Sequence, residues 1–296
     1  MPDVDDALLA RATALVLRAP ARASATLLAR MPRLKVIATL AAGVDNIDVD
    51  AATALGILVV NCPGAGTQAV AEHALGLMLG GARKLHAADA ELRSEGWSAR
   101  DRHFSFPVLE LAGKTVGVVG LGSIGSRLTE MCRLGLGMQV CAYSPTSPQQ
   151  RFDACGAHRV QDVESLCAKS DFVVLCASAT AATRGIVAAA QLAAMRPGAI
   201  LINVARGALL DEAALVLALR EGRIAGAGLD VFEQEPLAST SPLLRMSNVL
   251  LTPHIAGVSL EAHARRAHQV ASQVLQVMAG ERPPHLVNPS AWQHRR

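Results

Sequence analysis

The sequence predicts an α/β protein built on parallel sheets, and three observations carry that prediction. Short aliphatic or β-branched runs alternate with longer helix-like stretches, the pattern of βαβ units joined by right-handed crossovers. Hydrophobic residues make up 51% of the 296 residues and aromatics only 3%, so the core is aliphatic and Ala-rich, as strands buried on both faces require. One glycine-rich turn, Gly120-Leu121-Gly122-Ser123-Ile124-Gly125, joins a predicted strand directly to a predicted helix.

The predicted strands run Ala14 to Leu17, Val36 to Thr39, Leu58 to Asn61, Thr115 to Val119, Gln139 to Tyr143, Phe172 to Cys176, Ile200 to Val204, Ala227 to Val231 and Val249 to Leu251. Between Thr67 and Arg93 the pattern changes to one long helical segment. Pro107, followed by Gly113-Lys114, then marks the entry to a new strand, so a domain crossing is placed in this region. A chain of this length holds two ordinary domains.

Composition excludes several classes of function. The net charge of +3 is spread along the chain, which leaves no electrostatic footprint for nucleic acid or for a membrane surface. The longest uncharged stretch, Ala51 to Ala71, is broken by Asn61, Pro63, Gly64 and Gly66, and the start is acidic, so neither a spanning helix nor a targeting signal is expected. The six cysteines (Cys62, Cys132, Cys141, Cys155, Cys167 and Cys176) form no CxxC pair, which argues against zinc and disulfides and for a reducing cytoplasm.

The glycine turn follows the strand Thr115–Val119 and opens a helix running toward Arg133. Gly120 permits the tight turn, Gly122 lets backbone N–H groups approach a pyrophosphate, and Gly125 lets helix and strand pack closely. A helix N-terminus facing the anion completes the arrangement. This places a Rossmann-type doubly wound sheet in the chain, with a dinucleotide on Gly120, Gly122, Ser123, Ile124 and Gly125. The carboxylate that usually accepts from the ribose 2′-hydroxyl of NAD is replaced by Ser144, and the next Arg is Arg151. Both NAD and NADP are therefore admissible, with weak discrimination between them.

Three later strands deliver polar groups at their carboxyl ends, where ligands bind to open α/β sheets. Arg206 follows Ile200–Val204, a carboxylate-rich segment containing Glu235 follows Ala227–Val231, and His254 follows Val249–Leu251. An arginine, a carboxylate and an imidazole are thereby expected on one rim.

With these residues in view, the chain resembles the D-isomer-specific 2-hydroxyacid dehydrogenase family, which includes phosphoglycerate dehydrogenase and hydroxypyruvate/glyoxylate reductases. The likeness rests on Ala41-Ala42-Gly43-Val44-Asp45-Asn46-Ile47-Asp48, Asn61-Cys62-Pro63-Gly64, Val70-Ala71-Glu72-His73, the glycine turn, Asn203-Val204-Ala205-Arg206-Gly207, Asp230-Val231-Phe232-Glu233-Gln234-Glu235-Pro236 and Thr252-Pro253-His254-Ile255-Ala256-Gly257. It implies an NAD(P)-dependent enzyme moving a hydride between nicotinamide and C2 of a small 2-keto or D-2-hydroxy acid.

The resemblance also implies roles. His254 is the general acid/base, since imidazole titrates near neutral pH, and Glu235 orients its ring. Arg206 forks onto the substrate carboxylate, and the backbone of Ala42, Gly43 and Val44 holds that carboxylate from another side. Asp230 accepts from the nicotinamide carboxamide, while Thr180, Val204, Ala205 and Gly257 line the cofactor with Ser144. His73 is a packing or inter-domain contact, and His86, His103 and His158 are surface residues.

Residues 68–257 are then the dinucleotide-binding domain. Residues 1–67 and 258–296 form a smaller, flavodoxin-like substrate domain, which lacks an initial strand-helix-strand portion and is N-terminally truncated or has a smaller sheet with an exposed edge. Gly66 and Ser178 depart from the family pattern, which has Asn and Pro there. Thr67 to Arg93 is implied to contribute to a homodimer contact. The alternative function is a dinucleotide-sensing, corepressor-like interaction protein with little turnover.

Overall fold

The computed structural model describes residues 5–18, 21–104 and 108–296, and Pro107 and the side chain of His103 lie outside them. The chain divides into two compact units, one drawn from Met1–Gly66 and Val258–Arg296, the other from Thr67–Gly257. In chain order the first unit begins α1 (Asp6–Arg11), β1 (Ala14–Leu17), α2 (Ala25–Ala29), β2 (Val36–Thr39), α3 (Val49–Ala54) and β3 (Leu58–Val60). The second contains α4 (Thr67–Ala82), α5 (Leu85–Glu95), α6 (Ala99–Phe104), β4 (Thr115–Val119), α7 (Ser123–Glu130), β5 (Gln139–Tyr143), α8 (Gln149–Cys155), β6 (His158–Arg159), α9 (Val163–Lys169), β7 (Phe172–Leu175), α10 (Ala189–Ala194), β8 (Ile200–Asn203), α11 (Glu212–Arg220), β9 (Gly226–Leu229) and β10 (Val249–Leu251). The chain then returns to the first unit with α12 (Leu260–Met278).

In the first unit β1, β2 and β3 form a parallel three-stranded sheet. Alternate residues face opposite sides. Leu17, Ile37 and Val59 pack with Leu28 of α2 and Ala52 of α3, whereas Val36, Ala38, Leu58 and Val60 pack with Val270 and Val277 of α12. The edge beyond β3 is covered by the C-terminal segment, where Val60 bridges Leu286 antiparallel and the Val287 N–H donates to Val59 O at 2.8 Å. Asn288, buried beside it, accepts from the Val59 N–H at 2.8 Å and donates to Ile57 O at 2.9 Å.

The second unit is a seven-stranded parallel sheet in the order β10-β9-β8-β7-β4-β5-β6. Chain direction across the sheet reverses between β4 and β7, which makes their carboxyl ends the switch point where such sheets bind ligands. One face packs Val118, Ala142, Val174 and Ile202 against Leu77 and Met78 of α4 and Leu128 of α7. The other packs Val119, Val173, Leu175, Leu201 and Leu229 against Leu166 of α9, Leu192 of α10 and Leu215 of α11.

Several elements differ from the expectation. The helical segment expected as one piece from Thr67 to Arg93 breaks at Lys84, whose φ of 52° is left-handed. Packing separates the halves: α4 buries Ala71, Ala74, Leu77 and Met78, and α5 buries nothing. The helix toward Arg133 widens to π geometry over Met131–Gly135. Asn61, Cys176, Val204, Asp230 and Val231 fall just past their strands, in the turns leading away from the sheet. The strand β6 was not expected, because two residues show no periodicity.

The glycine turn depends on close approach. Gly120 has φ 96°, and a Cβ there would lie 2.6 Å from the Ala177 backbone. A Cβ on Gly125 would lie 2.1 Å from the Gly120 carbonyl oxygen, so helix and strand meet only without a side chain. Gly125→Ala is accordingly expected to cost about 1–3 kcal/mol through overpacking and to lower Tm by several degrees, measured by thermal circular dichroism. Gly122→Ala, whose Cβ meets nothing within 4 Å, leaves Tm unchanged within about 2 °C.

Candidate active site

The strand order places β8, β9 and β10 side by side, so the loops carrying Arg206, Glu235 and His254 leave three neighbouring carboxyl ends. With strands ~4.8 Å apart, the outer two loops start within about 10 Å of each other.

The loop after β10 is held by one carboxylate. Asp230, 1% exposed, accepts from Thr252 Oγ1 at 2.6 Å and from the Ile255 N–H at 2.9 Å on Oδ1, and from the Ala256 N–H at 2.8 Å on Oδ2. The His254 N–H donates to the Asp230 carbonyl at 2.8 Å. These bonds hold His254 at φ 54°, a left-handed conformation that costs a non-glycine residue about 1 kcal/mol or more. His73 on α4 sits behind this loop, its Nε2 2.9 Å from Thr252 Oγ1 and 3.6 Å from Asp230 Oδ1. It is thus a packing contact inside the second unit.

His254 Nδ1 lies 2.6 Å from Glu235 Oε2, and Glu235 Oε1 accepts from the Phe232 N–H at 3.0 Å. An ionised carboxylate only accepts, so the proton between them sits on Nδ1 and leaves Nε2 for chemistry. No protein group bonds Nε2 among the described residues, and the side chain is 48% exposed. Glu212 at the start of α11 accepts from the Glu233 N–H. Burial pushes the Glu212 carboxyl up, and the negative charges of Glu233 and Glu235 add to that.

Arg206 is set by Asn203, which sequence reasoning missed. Fully buried at the end of β8, Asn203 accepts from the Ala205 N–H at 3.1 Å and donates to Arg206 O at 3.0 Å. Arg206 is half-buried, and its Nη1 donates to Ala205 O at 2.7 Å. The available signal was a polar residue ending an otherwise aliphatic strand, since buried amides are retained where they are bonded.

The residues expected around the cofactor divide by exposure. Gly122 and Ser123 are exposed at the start of α7, Ile124 is half-buried and Gly125 buried; Thr180 is exposed and Gly257 half-buried. Val204 and Ala205 are buried, as is Ser144, whose Oγ lies 2.9 Å from Ser147 Oγ. The open space at Gly122 and the exclusion of side chains at Gly120 and Gly125 fit the pyrophosphate of a dinucleotide at the α7 N-terminus. Ala42, Gly43 and Val44 lie in the other unit, after β2, where Ala42 O accepts from Asn61 Nδ2 at 2.6 Å. His158 is exposed, whereas His86 is half-buried with Nε2 3.2 Å from Ser247 O. Among the described residues no cluster of His, Cys, Asp or Glu is suited to a metal ion, and no helix is long and apolar enough to cross a membrane.

The profile described as D-isomer specific 2-hydroxyacid dehydrogenase, NAD binding domain, matches residues 75–256. The chain belongs to this family. It is similar to the glyoxylate reductase of Thermococcus litoralis, 43% identical over 265 residues, which cover 88% of this chain and 79% of that one. Similarity to the D-3-phosphoglycerate dehydrogenase of Methanocaldococcus jannaschii is 41% over 277 residues, 94% of this chain and 52% of the relative. The chain thus spans about half the length of the phosphoglycerate dehydrogenases it matches. The crystal structure of an NADPH-dependent glyoxylate/hydroxypyruvate reductase from Sinorhizobium meliloti, in complex with NADP and malonate, superposes with a TM-score of 0.84 at 32% identity, covering 99% of this chain and 89% of that one.

Replacing Asp230 by Asn exchanges a buried acceptor-only group for one that turns a donor toward backbone N–H groups. With bonds to charged groups contributing about 1.5–3 kcal/mol, Asp230→Asn is expected to lower stability by about 2–4 kcal/mol, read from urea unfolding. Stability within 0.5 kcal/mol of wild type, allowing for about that much scatter at neutral surface sites, would remove Asp230 as the anchor of the loop.

Proposed function

We propose that this chain interconverts a small 2-keto acid and the corresponding D-2-hydroxy acid with a nicotinamide dinucleotide, NAD or NADP. The observation that carries the proposal is the His254–Glu235 pair, held at 2.6 Å with Nε2 unbonded among the described residues, on the same unit as the glycine turn. The bound nicotinamide supplies the hydride in reduction and accepts it in oxidation. His254 gives a proton from Nε2 to the C2 oxygen as the ketone is reduced, and takes it back when the hydroxy acid is oxidised. Glu235 holds the ring through Nδ1 in both directions. Arg206 presents a planar fork to the substrate carboxylate, and Asn203 fixes the backbone from which it extends.

Related proteins support the substrate class, because those named act on glyoxylate, hydroxypyruvate or phosphoglycerate. Six unpaired cysteines support a reducing, cytoplasmic compartment. A second copy of this chain is the proposed partner of α5, where Leu85 and Leu92 stand exposed one heptad apart with Trp97 close behind in sequence.

Absorbance at 340 nm tests the activity, following NADH and NADPH separately with glyoxylate, hydroxypyruvate, pyruvate, phenylpyruvate and 3-phosphohydroxypyruvate. Turnover with at least one acid is expected, with His254→Ala lowering kcat by about 10²–10⁴ while retaining nucleotide binding. Nucleotide binding with no turnover on any acid would favour a sensing protein instead. For the assembly, sedimentation velocity is expected to give a dimer that Leu92→Glu shifts toward monomer, and a monomeric wild type would refute the pairing.

A further inference from the structure

The loop after β5 brings two hydroxyls and two guanidinium groups together. Its backbone leaves the sheet at Ser144, the position at which a ribose-binding carboxylate would stand in an NAD-specific site. Ser144 and Ser147 are buried with their hydroxyls 2.9 Å apart, and Ser147 Oγ lies 3.4 Å from Leu121 O in the glycine turn. Two arginines flank this loop from separate elements. Arg151, in the first turn of α8, places Nη1 3.3 Å from the same Leu121 carbonyl. Arg159 on β6 places Nη2 3.4 Å from Pro145 O, with its guanidinium carbon 4.8 Å from the centre of the Phe152 ring.

Neither arginine is paired with a carboxylate among the described residues. The acid nearest to Arg151 in sequence, Asp153, accepts from the Gln149 amide at 2.9 Å. Two guanidinium groups and two hydroxyls thus border a segment that carries no carboxylate from Ser144 to Pro148. An arrangement of this kind favours a phosphate monoester, which carries close to two negative charges at neutral pH and accepts from planar N–H forks. A ribose diol gains little from two uncompensated cations.

We infer that Ser144, Ser147, Arg151 and Arg159 form the recognition site for the 2′-phosphate of NADP(H), so that the chain prefers NADP(H) to NAD(H). The inference rests on the dinucleotide reading proposed above and sharpens it. The weak discrimination expected from sequence followed from the absence of an Arg directly after Ser144. The fold supplies one from seven residues further on, because the turn through Pro145 and Pro148 returns α8 to the glycine loop.

The test is a fluorescence titration of the full chain with NADPH and NADH, without any keto acid, plus competition by 2′,5′-ADP and 5′-AMP. NADPH is expected to bind at least about 10-fold more tightly than NADH, as charge-assisted bonds of this kind allow, and 2′,5′-ADP to compete better than 5′-AMP. Arg151→Ala should weaken NADPH about 10–100-fold and NADH less than about threefold, Arg151→Lys should restore part of the preference, and Ser144→Asp should reverse it. Raising salt should narrow the gap between the two nucleotides. A wild type that binds NADH as well as NADPH would overturn the inference and leave the dinucleotide reading intact, as would an Arg151→Ala that weakens both equally. Failure of the wild type to bind either nucleotide would overturn both.

Discussion

The buried carboxylate of Asp230 is the constraint on which the candidate active site depends. It touches both ends of the loop presenting His254: Thr252 before it and Ile255 and Ala256 after it. A carboxylate offers about four acceptor positions and no donor, so it can gather several N–H and O–H groups that would otherwise repel one another at a strand end. That gathering offsets the cost of the left-handed backbone at His254 and sets the ring against Glu235. Strain retained at a residue held from both sides is the form in which folds pre-organise reactive groups.

The site is assembled by the sheet as much as by any side chain. Arg206, Glu235 and His254 are separated by tens of residues in sequence, yet β8, β9 and β10 are consecutive in the sheet and deliver them from adjacent carboxyl ends. The glycine turn belongs to β4 on the far side of β7, at the point of reversal. The same parallel arrangement therefore brings both the glycine turn and the His254–Glu235 pair to one edge of the sheet. Asn203, Asp230 and Thr252 each lie at or just past a strand end with their polar atoms turned back into the protein, where they fix the loops without reaching outward.

Much of this was legible in the sequence because it is written locally. The aliphatic runs of β4, β5, β7 and β8 and the glycine turn between Val119 and Ser123 are contiguous patterns, and the α/β class follows from their alternation. What was not legible depends on contacts distant along the chain. The break at Lys84 arises because α4 packs on the sheet and α5 does not, a distinction that helical periodicity alone cannot draw. Asn203 reads as part of an aliphatic strand until its bonds to Ala205 and Arg206 are seen. Arg151 stands seven residues beyond Ser144, and Arg159 fifteen, so only the return of α8 and β6 to the same loop relates them to Ser144.

Transfer of an isotopic label tests the proposed chemistry most directly. A 2-keto acid is incubated with the chain and reduced nicotinamide dinucleotide carrying deuterium at C4, with the label placed on each face in separate reactions, and the hydroxy acid is analysed by mass spectrometry and chiral chromatography. The expected product is the D-2-hydroxy acid with one deuterium at C2 from one face and none from the other. A hydroxy acid free of deuterium in both reactions, or no hydroxy acid at all, would contradict hydride transfer at this site.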